Sequence, residues 1–214
     1  MRIGLLADSH LPSLVRSLAE FGPEIGDFLS GVDLILHAGD VTAPAVLDWC
    51  EQYAPILVAR GNNDLFSDRR MEDRQLLEVD GWRIGLVHEL RPQSRPMETL
   101  LASSTLQGER VDVLVAGDTH VDLLEFRSDV VLINPGSPSL PHQKEMRLGT
   151  VGLLEIEPGR VHAEIVTLGE TPGSPNPGTP RHIEVEDGRV RSASLRGDWV
   201  LPEDLTPHGE LQMR

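Results

Sequence analysis

A chain of 214 residues with a formal charge of −15, 39% hydrophobic and 25% charged, has the balance of a globular protein able to bury a core. No apolar run approaches the roughly 18 residues of a spanning helix, so no membrane association is expected. The carboxylate excess argues against a stable nucleic-acid complex, which needs clustered cations, and the single cysteine, Cys50, excludes an internal disulfide framework.

Residues 2–7 read as a buried first strand. Asp8 and His10 interrupt it before a secretion signal could form, which predicts a cytoplasmic protein. Leu11, Leu14, Val15 and Leu18 have the spacing of an amphipathic helix with Pro12 near its first turn. Residues 33–37 form a second strand. Thr42 as cap and Pro44 as early proline then open a helix in which the Cys50 thiol is expected to be buried and inert. A third strand covers 55–59.

The pattern then changes. Residues 75–79 and 82–87 flank Asp80-Gly81, a strong hairpin signal. Ser94 and Pro96 begin a helix marked by Met97, Leu100 and Leu101. A strand at 111–116 precedes two more at 122–127 and 130–133 around Ser128-Asp129. Strands at 149–156 and 161–168 pair across Pro158-Gly159. Early strand–helix alternation followed by hairpins predicts a mixed sheet or two stacked sheets with helices outside. After Leu168 the composition shifts. The expected organisation is a domain at 1–168, a Pro/Gly-rich linker at 169–180, and a C-terminal tail at 181–214 with one small hairpin around Asp187-Gly188.

Five polar motifs follow the apolar strands: Asp8-Ser9-His10, Gly39-Asp40, Gly61-Asn62-Asn63-Asp64, His88 and Gly117-Asp118-Thr119-His120. Strand ends are where an open α/β sheet gathers its loops into one crevice. Asp8 and His10, one residue apart in an extended segment, would point the same way and grip one ion. The two oxygens of Asp40 can bridge two cations, Asn62 offers a neutral oxygen, and His88 and His120 offer imidazoles. Taken singly, each is a turn, a cap or a buried histidine. His37, inside its strand, is assigned to the core or to a supporting position behind the site. Together the five strand ends favour a two-metal site for phosphoester chemistry. A phosphate-binding Gly-rich loop ending in Lys-Ser/Thr, a Gly-x-Ser-x-Gly elbow and a Cys-x-x-Cys pair are absent from the sequence.

These motifs, with Val87-His88 and Asn134-Pro135-Gly136-Ser137, resemble those of the calcineurin-like metallophosphoesterases, particularly the small bacterial and archaeal phosphodiesterases, over roughly residues 1–168. The resemblance implies an α/β (α+β) fold, a four-layer αββα sandwich of two mixed sheets flanked by helices. It implies a first metal on Asp8, His10, Asp40 and His120, and a second sharing Asp40 and adding Asn62, His88 and Asp118. Two divalent ions are expected, Mn²⁺ favoured, with Mg²⁺, Fe²⁺ or Zn²⁺ as alternatives. They would serve in-line attack on phosphorus, with Asp40, Asn62 and Asn63 as the catalytic positions and Asn63 donating to a phosphoryl oxygen. The expected substrate is a small-molecule phosphate ester, a diester ahead of a monoester because no second fixed cationic pocket is evident. A homo-oligomer is compatible with the sequence. The rival reading is a weak or inactive scaffold that acts through protein contacts, as a retromer subunit of this fold does.

The chain departs from the family pattern in several places. Asp118 stands where Gly-His-x-His is usual and exchanges a neutral imidazole for an anion, which predicts a harder site preferring Mn²⁺ or Mg²⁺ to Zn²⁺. Glu89 replaces a glycine and either crowds the substrate side, serves as an added ligand or faces solvent. His142 follows Pro141 where an arginine is common, and is either a weak phosphate contact or a surface residue.

Overall fold

The structure is a computed structural model that describes residues 1–11, 17–143, 145–195 and 198–200. The first part alternates β1 (Arg2–Leu6), α1 (Gly22–Leu29), β2 (Leu34–His37), α2 (Pro44–Cys50), β3 (Ile56–Ala59) and β4 (Met71–Glu72). Next come β5 (Gln75–Val79), β6 (Trp82–Leu86), α3 (Met97–Ser103), β7 (Val113–Val115), β8 (Leu123–Arg127) and β9 (Val130–Asn134). The last described elements are β10 (Thr150–Glu157), β11 (Arg160–Thr167), β12 (Arg181–Glu186), β13 (Arg189–Leu195) and β14 (Asp198–Val200). Two mixed sheets result, of order β14-β13-β12-β11-β10-β1-β2-β3-β4 and β5-β6-β7-β9-β8.

Alternation along the strands builds four layers, because successive side chains leave opposite faces. Leu5, Leu36, Val113, Val115, Val131 and Ile133 point between the sheets and are fully buried there. Their neighbours Leu6, Ile35 and Val58 point outward under α1 and α2, against Ile25, Leu29, Val46 and Leu47. On the other side Leu114 and Leu132 meet Met97 and Leu100 of α3. Parallel strands covered on both faces explain the continuous apolar runs of β1 and β2. The expected αββα sandwich is the fold found.

Local differences have local causes. The helix expected from Leu11 to Leu18 falls largely on residues 12–16, outside the described residues; Leu18–Phe21 makes one 3₁₀ turn that runs into α1. Sequence reading missed α1 because Gly22, Pro23 and Gly26 are poor helix formers. Burial of Ile25 and Leu29 against the sheet holds it instead. Ala43, not Thr42, occupies the N-cap of α2, and the Thr42 hydroxyl donates to the Leu11 carbonyl. Pro96 rather than Ser94 caps α3. The hairpins at Asp80-Gly81 and Asp187-Gly188 form with positive φ at both turn residues, as a tight two-residue connection requires.

Residues 181–195 add to the first sheet: β12 pairs antiparallel with β11, and Ile183, Val185 and Ala193 enter the core between the sheets. The Pro/Gly-rich segment before them is tied down, with Asn176 Nδ2 donating to the carbonyls of Gly149 and Gly169 at 2.8 and 2.9 Å. No helix among the described residues is long and apolar enough to cross a membrane.

Cys50 is 0% exposed, and burial pushes its thiol up to about 12 against a small opposing effect of Arg70. A thiol reagent at pH 8 should therefore leave the native protein unlabelled and react with one equivalent only in denaturant. Rapid native labelling would show that α2 is not packed as described.

Candidate metal centre

The loops that follow β1, β2, β3, β6 and β7 meet at one edge of the sandwich. Backbone hydrogen bonds stitch them together: Asp8 N–H to Gly39 O at 2.9 Å, His10 N–H to Asp40 O at 3.0 Å, and Gly117 N–H to His88 O at 2.9 Å. Asp8, His10, Asp40, Asp118 and His120 all have positive φ, between 51° and 74°. Left-handed backbone costs a non-glycine residue about 1 kcal/mol or more, and such strain concentrates at functional sites. Asp8 and His10 thus converge through left-handed turns that follow β1, and not through the alternation of an extended strand. Gly61 is required by a close approach, since a Cβ there would lie 2.2 Å from the Asp40 backbone nitrogen.

All seven residues expected at a metal site come together. His10 Nε2 lies 3.1 Å from His120 Nε2 and 3.3 Å from Asp40 Oδ2. His120 Nε2 is 3.8 Å from Asp8 Oδ1. On the other side His88 Nε2 is 3.0 Å from Asn62 Oδ1, 3.5 Å from Asp40 Oδ1 and 3.7 Å from Asp118 Oδ1. Asp40 stands between the two histidine groups, one oxygen toward each. Two triads, Asp8/His10/His120 and Asp8/Asp40/His88, have donor atoms within 4.8 Å of one another.

The surroundings fit these residues to cations. His88 Nδ1 is 2.6 Å from Ala38 O and His120 Nδ1 is 2.8 Å from Leu140 O. A carbonyl accepts only from a protonated Nδ1, so in the neutral ring the Nε2 lone pair faces the carboxylates. Burial holds the His10 and His120 imidazoles below their usual range and so favours the neutral, ligating form. Burial, followed by repulsion from Asp40 and Asp118, raises the Asp8 carboxyl well above the ordinary carboxylate range. Asp8 Oδ2 is buried with no hydrogen-bond partner, an acceptor that a cation would satisfy.

Supporting residues fix this arrangement. Asp64, 5% exposed, accepts from the backbone N–H of Asp40, Thr42 and Gly61 at 3.0, 2.7 and 2.8 Å. Ser137 Oγ donates to Asp8 O at 2.8 Å, and Asn134 Nδ2 donates to Gly117 O at 2.8 Å, so the Asn134–Ser137 turn braces two of the loops. His37 is fully buried with Nε2 2.7 Å from Ser9 Oγ, and burial pushes it down to about 3, which makes it a neutral residue behind the centre.

Other expectations resolve differently. Asn63 donates from its backbone N–H to Asp40 Oδ1 at 2.9 Å and from Nδ2 to Asp40 Oδ2 at 2.6 Å, so its amide faces the carboxylate. Glu89 is exposed, in the solvent-facing arrangement. His142 is only partly exposed, with its Nε2 3.9 Å from Asp122 Oδ1. Two residues were missed. Asp64 gave only a turn signal. Arg91, whose guanidinium pairs with the Asp118 carboxylate through Nε, gave none, because 27 residues and two separate loops part it from its partner.

Comparison with known proteins bears on this geometry. The sequence profile described as the calcineurin-like phosphoesterase superfamily domain matches residues 1–159. A protein of Methanothermobacter thermautotrophicus named "Probable metallophosphoesterase" is 33% identical over 170 residues, spanning 79% of this chain and 94% of its own. A Methanocaldococcus jannaschii protein named as a phosphodiesterase is 25% identical over 151 residues, spanning 64% of this chain and 83% of its own. Among solved structures, Vps29 of Chaetomium thermophilum matches with a TM-score of 0.70 at 18% identity, over 87% of this chain and 95% of that one, a likeness of fold.

Asp64→Ala should strip three buried N–H groups of their acceptor and destabilise the protein by about 2–4 kcal/mol, while Asp64→Asn, which keeps one carbonyl oxygen, should cost less. Thermal unfolding of the two variants checks this. Equal and small losses would mean that Asp64 does not hold the Asp40 loop.

Proposed function

The chain belongs to the calcineurin-like phosphoesterase superfamily, and we propose that it is a divalent-metal-dependent phosphoesterase that hydrolyses small phosphodiesters. The observation that carries this reading is the buried Asp40 carboxylate, with one oxygen toward His10 and the other toward His88. Asp8, His10, Asp40 and His120 would hold one ion. Asp40, Asn62, His88 and Asp118 would hold a second. The ions would supply Lewis acidity and lower the pKa of a coordinated water.

The protein's own contribution is positioning. Asn63 and Asp64 hold Asp40 from two sides, through its carboxylate and its backbone N–H. Ala38 and Leu140 keep His88 and His120 in the tautomer whose Nε2 lone pair faces inward. A site of this kind binds and orients a phosphate ester before any bond changes, which is where much of the rate enhancement of phosphoryl chemistry arises. Three carboxylates in the donor set favour hard ions, so we assign Mn²⁺ first and Mg²⁺ next, ahead of Zn²⁺. The diester preference is supported by the name of the jannaschii relative and by the acidity of the chain. The proposed setting is the cytoplasm.

Metal-stripped protein resupplied with Mn²⁺ should hydrolyse bis(p-nitrophenyl) phosphate. Asp40→Asn should lower that rate by about 100-fold or more, the scale on which lost electrostatic stabilisation shows in kcat. No turnover with any divalent ion would sink the enzyme reading and leave a scaffold of the same fold. Asp118→His should move the activation profile from Mn²⁺ toward Zn²⁺; an unchanged metal preference would refute the assignment made to that carboxylate.

A further inference from the structure

Arg91 lies in the loop between β6 and α3, and its side chain is 56% exposed, while the Asp118 carboxylate that it pairs with is 5% exposed. The guanidinium therefore has its Nε against a buried carboxylate of the candidate centre while more than half of the side chain remains open to solvent. Asp118 looks both ways: Oδ2 accepts from Arg91 Nε, while Oδ1 lies 3.7 Å from His88 Nε2. Asp118 itself is held, with its backbone N–H donating to Asp8 Oδ1 at 3.2 Å and its carbonyl accepting from Gln143 Nε2 at 3.4 Å. Among the described residues the Nη groups of Arg91 have no hydrogen-bond acceptor.

A planar cation with one edge fixed and its remaining donors open is suited to the oxygens of a phosphate group. We propose that Arg91 is a substrate-binding residue that pairs with a non-bridging oxygen of the phosphate ester, and that Asp118 is the positioning residue that holds it there. This rests on the phosphoesterase reading and adds to it a fixed cation at the rim. The chain carries an aspartate at position 118 because a carboxylate can face the metal cluster with one oxygen and anchor a guanidinium with the other. An imidazole there, with one nitrogen turned to a metal, could not accept from an arginine. A single guanidinium, partly offset by Asp118, matches the single negative charge of a phosphodiester better than the two charges of a monoester.

The test uses Mn²⁺-loaded full-length protein in six forms: wild type, Arg91→Ala, Arg91→Lys, Asp118→His, and the double variants of Asp118→His with each Arg91 change. Calorimetric titration with inorganic phosphate and the KM for bis(p-nitrophenyl) phosphate are read alongside Mn²⁺ affinity. Arg91→Ala should weaken phosphate binding and raise KM by about 10- to 100-fold, with kcat changed less and Mn²⁺ affinity held within about threefold. Arg91→Lys should recover part of the loss, since the charge remains and the fork does not. In the Asp118→His background the same Arg91→Ala change should cost less than about threefold, because the anchor has gone.

Unchanged phosphate affinity and KM in Arg91→Ala would overturn the substrate role. An equal penalty in both backgrounds would overturn the role of Asp118. Tighter Mn²⁺ binding in Arg91→Ala would show that the guanidinium competes with a cation and does not serve the substrate. If the wild type binds Mn²⁺ but turns over no ester, the phosphoesterase reading fails by itself, and the phosphate titration still decides whether Arg91 recognises phosphate.

Discussion

Asp40 is 3% exposed and is held by groups from other loops. Its backbone N–H donates to Asp64, its carbonyl accepts from His10, and its two oxygens accept from Asn63 while facing His10 and His88. Gly61 has no side chain because that backbone is already in contact with Asp40. A carboxylate so confined cannot turn away to water. A buried carboxylate is costly unless hydrogen bonds or cations match it, and the neighbouring loops supply hydrogen bonds and place further candidate ligands around it.

The same constraint explains the electrostatics around it. Asp8, Asp40 and Asp118 are three acids gathered in little water; burial first, and then repulsion from Asp40 and Asp118, holds the Asp8 carboxyl well above the ordinary carboxylate range. A bound divalent ion would relieve the repulsion and would thereby stabilise the fold as well as the centre. Arg91 offsets the outermost of the three acids from the solvent side. In the proposed function, metal affinity, stability and substrate recognition would all be linked through this one set of carboxylates.

The scaffold is stiff where this matters. β1, β2 and β3 run parallel and are buried between helices and the second sheet, so their ends present the loops bearing Asp8, Asp40 and Asn62 at fixed spacing. The second sheet delivers His88 and His120 from the parallel pair β6 and β7. The C-terminal hairpin widens the first sheet, and Arg181 at its start lies 3.3 Å from Asp122, just beyond His120. That contact ties the start of β12 to the loop that carries His120.

Residue type and order along the chain determined the architecture and the candidate ligand set. Strand ends carrying Asp8, His10, Asp40, Asn62, His88 and His120 are legible because strong polar ligands after apolar runs are costly unless they are used. Asp80-Gly81 and Asp187-Gly188 announced their hairpins because few residue pairs tolerate the left-handed turn. Only the tertiary structure could decide what depends on approach between distant loops. The left-handed backbone at five candidate ligands, the α1 helix with its two glycines and a proline, the grip of Asp64 on three N–H groups and the pairing of Arg91 with Asp118 have no local signature. Each is imposed by packing, which supplies the energy to hold a conformation or a charge that the local sequence does not prefer.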